Sequence, residues 1–185
     1  MSQADRQPLF RTRLYPFVEA WPAGPGFTVS VIRFLLPASI PTEPTTLGSA
    51  GRLCPAVLAP EIPFSILPFS LREAISSGVL DAGELWRGRP VPPWRGVSCR
   101  VGHLALRLTN EIDPESPATF NILVLLPDRD PPGPLVNHVL LGTEFLRHYA
   151  FRVLISYAAI RYLDADESGR LGVDPSGACG FLEKF

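Results

Sequence analysis

Ile62-Pro63-Phe64-Ser65-Ile66-Leu67-Pro68 and, far downstream, Val139-Leu140-Leu141-Gly142 decide how this chain is read. Both are apolar runs that meet a tight turn of prolines or small residues. Each is followed by apolar residues at roughly helical intervals, in 69–76 and 143–150. Just upstream of the first run, Pro55-Ala56-Val57-Leu58-Ala59 reads as a short apolar strand stopped by Pro60.

The 185 residues suit one domain, large enough to bury its own core without a staple. Hydrophobic residues make up 46% and charged residues 19%, an ordinary globular balance. Proline is the exception, with 21 residues, about twice the usual frequency. Proline breaks helix interiors and is accepted at strand edges and turns, so the composition favours short strands. A net charge of −1 provides no electrostatic footprint for nucleic acid, and there is no aromatic-basic RNA motif. Cys54, Cys99 and Cys179 are an odd set without CxxC spacing. They point to reduced thiols in a cytoplasmic protein, not to a disulfide framework or a zinc site. The start, Met1-Ser2-Gln3-Ala4-Asp5-Arg6, is polar and no apolar run follows it. No signal peptide and no membrane partner are therefore expected.

Residues 1–13 read as a flexible N-terminal segment. Residues 27–36 are β-branched and aromatic and predict a strand, and the Pro/Thr/Ser-rich stretch 37–49 predicts a loop. Further strands are expected in 97–108, where alternation is clear from Leu104 onward, in 119–126 and in 136–141. Residues 86–96 carry Gly88, Pro90, Pro92, Pro93 and Gly96 and predict an irregular connection, and 128–134 predicts a turn-rich loop. Thr143 is placed to cap the second short helix, with Glu144 in its first turn. Residues 151–157 and 159–163 read as a closing hairpin, and 164–185 as a polar C-terminal tail. The pattern predicts a mainly β domain over 14–163, a small closed barrel of six to eight strands with one or two short helices.

The order of these parts resembles the retropepsin-like aspartic protease (acid protease) family, in its bacterial form. There a strand leads into a catalytic Asp-Thr-Gly-Ala turn, and a later strand ending in two apolar residues and Gly crosses it, a psi-loop. Bacterial members often continue Pro-x-Ser-apolar-apolar-Pro after that turn, and Pro63, Ser65, Ile66, Leu67 and Pro68 stand at those offsets. Leu140-Leu141-Gly142-Thr143-Glu144-Phe145-Leu146 resembles the family's Leu-Leu-Gly-x-x-Phe-Leu. The resemblance implies a homodimer in which each copy supplies one carboxylate, one ionised and one protonated, to activate water. It also implies a groove for an extended peptide or protein segment, placed here at Trp94, Leu140, Leu141 and Gly142.

The catalytic turn itself departs from the pattern. Its four positions read Ala59, Pro60, Glu61 and Ile62. Alanine has no proton to exchange, glutamate replaces the glycine of the tight turn, and proline replaces the threonine. The expectation is a pseudoenzyme: no catalytic residue, no cofactor and no metal, with the domain acting as a peptide-binding or assembly module. An alternative is an aspartic endopeptidase with an atypical acid, Asp81 in Val79-Leu80-Asp81-Ala82-Gly83. Against it, Glu84-Leu85-Trp86-Arg87 does not resemble the strand that should follow. A second alternative is an unrelated small β-barrel adaptor in which 60–68 is a proline-bounded apolar loop. Asp164-Ala165-Asp166-Glu167-Ser168-Gly169 begins like a calcium loop, but Pro175 stands where the bidentate acid belongs. His103, His138 and His148 lack ligand spacing. Trp86 and Trp94 flank the proline-rich connection, where burial against the body and contact with a peptide both suit them.

Overall fold

A computed structural model describes residues 6–18, 32–40, 52–53, 55–74, 79–80, 91–130, 138–156 and 177–185. Within them the chain is mainly β. Its strands are β1 (Phe10–Val18), β2 (Ile32–Leu36), β3 (Ala38–Ile40), β4 (Arg52–Leu53), β5 (Ala56–Leu58), β6 (Ser65–Ile66) and β7 (Val79–Leu80). They continue as β8 (Cys99–Leu108), β9 (Ala118–Pro127), β10 (Val139–Leu141), β11 (Arg152–Ile155) and β12 (Gly180–Lys184). Two short helices, α1 (Phe69–Ala74) and α2 (Thr143–His148), complete the elements. The strands order as β11-β12-β1-β2-β5-β10-β6-β9-β8-β3-β4, with β7 also on β8. Among the described residues no ladder joins β11 to β4, so the path is open.

The longest ladder is antiparallel, β8 on β9 from Cys99↔Pro127 to Leu108↔Ala118. Its register follows from alternation: Leu104, Leu106 and Leu108 are buried, while Ala105 and Arg107 between them stay half-exposed. These leucines join Leu14, Leu36, Leu58, Leu141 and Leu182 in the main core. Phe10, Phe120, Phe145, Tyr149 and Phe151 pack beside them with tilted or edge-on rings. A second cluster, Val57, Ala59, Ile62, Ile66, Leu125 and Leu140, is separate from the first. Ala56 and Leu58 belong to one and Val57 and Ala59 to the other; Val139 and Leu141 to one and Leu140 to the other. Strands β5 and β10 are thus buried on both faces, which is why their sequences are apolar without a period of two.

Several boundaries differ from those the sequence predicts. Phe10 to Arg13 are not a flexible segment but the first part of β1, paired with Lys184 to Phe181. Gly180–Lys184 is not a polar tail but β12, lying between β1 and β11. It reads as polar because of Glu183 and Lys184. The Glu183 carboxylate is nevertheless buried, and Arg11 donates to it from Nε and Nη2 at 2.6 Å. Ala38–Ile40, inside the expected loop, forms β3 through its ladder with β8. β11 pairs with β12; the expected hairpin partner 159–163 lies outside the described residues. The expected loop at 128–134 supplies a helix cap: the Asp130 carboxylate accepts the N–H groups of Phe69 (2.6 Å) and Ser70 (2.9 Å). α1 has no acid of its own in its first turn, so the cap comes from a distant part of the chain.

Candidate functional site

The apolar stretches 62–68 and 139–142 meet in space. β10 lies between β5 and β6, parallel to the first (Val139↔Ala56, Leu140↔Val57, Leu141↔Leu58) and antiparallel to the second (Leu140↔Ile66). Residues 59–64 connect β5 to β6 and so pass over the end of β10. Backbone bonds fasten the crossing. The Ala59 N–H donates to the Leu141 carbonyl at 2.9 Å, and the Ile62 N–H to the Ala59 carbonyl at 3.0 Å. The Ser65 hydroxyl accepts the Gly142 N–H at 3.2 Å.

The same turn caps α2. The carbonyls of Ile62 and Pro63 accept the N–H groups of Thr143 (2.9 Å) and Glu144 (3.0 Å). Thr143 is therefore not the cap that its hydroxyl suggested. Gly142 holds the N-cap position with no side-chain bond, and the turn's carbonyls satisfy the helix's first donors. Gly142 has an extended backbone, φ −86° and ψ −179°, which any residue adopts. Glycine is required for space: a Cβ there would lie 2.5 Å from the Phe64 carbonyl oxygen and 2.7 Å from that of Ile62.

Ala59 is fully buried, its methyl within the second apolar cluster. Pro60 and Pro63 are exposed. Glu61 turns to β2, where Arg33 donates to its Oε1 from Nε and Nη2 at 2.5 Å. Arg33 is only 6% exposed. The carboxylate carried by the turn is thus held in a charge-assisted pair. Arg33 had no role in the sequence reading. Its signal was a lone cation within the apolar run Val31-Ile32-Arg33-Phe34-Leu35, but nothing in the sequence named its partner 28 residues away.

Of the four residues expected to line a groove, Leu140, Leu141 and Gly142 are buried, and Trp94 is half-buried against the second cluster. Asp81 and Trp86 lie outside the described residues, as do Cys54 and the acidic stretch 164–169. Among the described residues no three His, Cys, Asp or Glu side chains gather as metal ligands. No helix there is long and apolar enough to cross a membrane. No protein-family model, curated protein or solved structure matches the chain.

Burial pushes up the pKa of the Cys99 thiol, the Cys179 thiol and the Tyr149 phenol. The direction sets an alkaline limit on stability. Unfolded thiols ionise near about 8.5, before the folded ones, so above that pH the unfolded chain holds fewer protons than the folded chain. Stability from these groups is complete below the unfolded values and is lost as pH rises through the folded ones. Urea midpoints should fall between neutral pH and roughly one unit above the free thiol pKa, and Cys179→Ala should lessen the fall.

Proposed function

We propose that this chain is a retropepsin-like, mainly β domain that has lost aspartic-protease chemistry and serves as a non-catalytic peptide-binding or assembly module, as a homodimer in the cytoplasm. The likeness is supported by β10 lying between β5 and β6 beneath the turn 59–64, together with the Leu140-Leu141-Gly142 pattern that leads into α2.

One observation carries the loss of chemistry. Where the family's acid belongs stands the methyl of Ala59, buried among Val57, Ile62, Ile66, Leu125 and Leu140. A general acid–base pair needs two carboxylates sharing a proton within reach of one water. A methyl cannot take part, and Glu61, the turn's own carboxylate, is bonded to Arg33. What the scaffold retains beside the turn is a half-buried tryptophan, Trp94, packed on an apolar cluster, a feature suited to holding a peptide.

The test is hydrolysis of a mixed peptide library at acidic pH, with and without pepstatin, by the native chain and by Asp81→Asn. The proposal expects no pepstatin-sensitive cleavage from either protein. Cleavage that pepstatin blocks and Asp81→Asn abolishes would replace it with the enzyme reading.

A further inference from the structure

The end of the sheet formed by β11, β12 and β1 carries an outer face of its own. Residues directly opposite in a ladder point to the same side. The register therefore places Arg152, Glu183 and Arg11 in one row and Leu154, Phe181 and Arg13 in the next. The other side of these strands, with Phe10, Leu14 and Leu182, belongs to the core. By the same alternation Leu9 and Phe185 fall on the outer face. Among the described residues five large hydrophobic side chains are exposed, and three of them are here: Leu9 at 74%, Leu154 at 48% and Phe185 at 38%. Arginines lie over the rings. The Arg11 guanidinium is 5.0 Å from the centre of Phe181, and that of Arg152 is 4.6 Å from the centre of Phe185.

Charge is ordered across this face. In the middle, Glu183 is buried and already held by Arg11. The Arg11 backbone points away from β12, to the loop between β8 and β9: its N–H donates to Asn110 Oδ1 at 3.4 Å, and its carbonyl accepts the Glu111 N–H at 2.8 Å. The Glu111 carboxylate reaches Arg13 on the outer face. The acidic loop 111–115 thus borders the face at β1, and Arg152 borders it at β11. Asp113 and Glu115 are exposed and pair with no cation among the described residues; Arg152 is exposed and pairs with no carboxylate there. A surface that is anionic along one border, cationic along the other and apolar between them is complementary to itself under a twofold rotation. A partner of one charge sign would leave one border unmatched. We propose that this face is the contact of a homodimer, with a second copy of the chain as its occupant. An axis running along β12 sets Arg152 of each copy against the acidic loop of the other and buries the apolar band of both. This rests on the homodimer reading above and names its surface, with the axis three strands along the sheet path from β5 and the Ala59 turn.

The test is sedimentation velocity on the full chain and on two charge-reversed variants, Arg152→Glu and the double variant Asp113→Arg with Glu115→Arg. The native chain should sediment as a dimer. Each variant alone meets like charge at both borders, which should weaken its dimer about ten-fold or more. Mixed in equal amounts, the two variants should form a heterodimer, because every border contact again joins opposite charges. Leu154→Ser, in the apolar band, should weaken the native dimer and the heterodimer alike. A native monomer overturns this proposal and the homodimer reading together. A native dimer that both charge variants retain overturns the face and leaves the homodimer reading intact, as do folded variants that dissociate but do not recombine. If a charge variant fails to fold, Leu154→Ser decides: an undiminished dimer overturns the face.

Discussion

Gly142→Ala is expected to destabilise the domain by about 3 kcal/mol, the upper part of the range for forcing atoms into a packed interior. The added methyl would meet backbone, the carbonyls of Phe64 and Ile62, and not the movable end of a side chain. Relief requires the turn 59–64 to rise from β10. That movement strains the bonds from Thr143 to Ile62 and from Glu144 to Pro63, which cap α2. A loss of this size in a chain of 185 residues should lower Tm by roughly 6–12 °C. Gly177→Ala is the control: a Cβ there meets nothing within 4 Å, and its effect should stay below about 0.5 kcal/mol. Equal melting curves for the two variants would mean that the crossing is looser than described.

The second large effect is an asymmetry. Glu61→Ala takes from the buried guanidinium of Arg33 the carboxylate that its Nε and Nη2 engage. Breaking a fully buried pair in this way costs about 3–5 kcal/mol. Glu61 is 30% exposed at its side chain, and water reaching that side reduces the expected cost to about 2–3 kcal/mol. Arg33→Met removes the buried charge and leaves Glu61 to solvent, so it should cost about 1 kcal/mol or less. Denaturant midpoints for both single variants and the double variant measure this directly. The double variant should resemble Arg33→Met, since the penalty of Glu61→Ala exists only while Arg33 is charged and buried. Equal losses for the two single variants would show that Arg33 is more hydrated than its position indicates.

The parts of the fold legible in the sequence are those whose cause is local. Val57-Leu58 and Leu140-Leu141 are uniformly apolar because both faces of β5 and β10 are covered, and such runs announce buried strands. Leu104, Leu106 and Leu108 alternate because one face of β8 is covered more fully than the other. The parts that were not legible depend on partners distant in sequence. Gly180–Lys184 looks like a solvated tail until Arg11 neutralises Glu183 and β1 and β11 supply ladders on both sides. The first turn of α1 lacks an acid until Asp130 provides one 61 residues later. Thr143 has the chemistry of a cap, yet carbonyls from 62 and 63 already occupy that role.

The candidate site divides in the same way. The absence of an acid at Ala59 is visible in the letters, since no environment gives a methyl a proton to transfer. Glu61, in the glycine position of the turn, is legible as a departure from the pattern, but its pairing with Arg33 of β2 depends on a residue 28 positions away. Leu140 and Gly142 were expected to line a groove, but the crossing that makes their pattern recognisable also buries them.

A crystal structure of the full chain, inspected around Ala59 and across every twofold contact, tests the central claim most directly. The account predicts the Ala59 methyl among Val57, Ile66 and Leu140, Glu61 on Arg33, and no other carboxylate oxygen within about 6 Å of that methyl. Two carboxylates from paired copies meeting at that point, those of Asp81 above all, would contradict it.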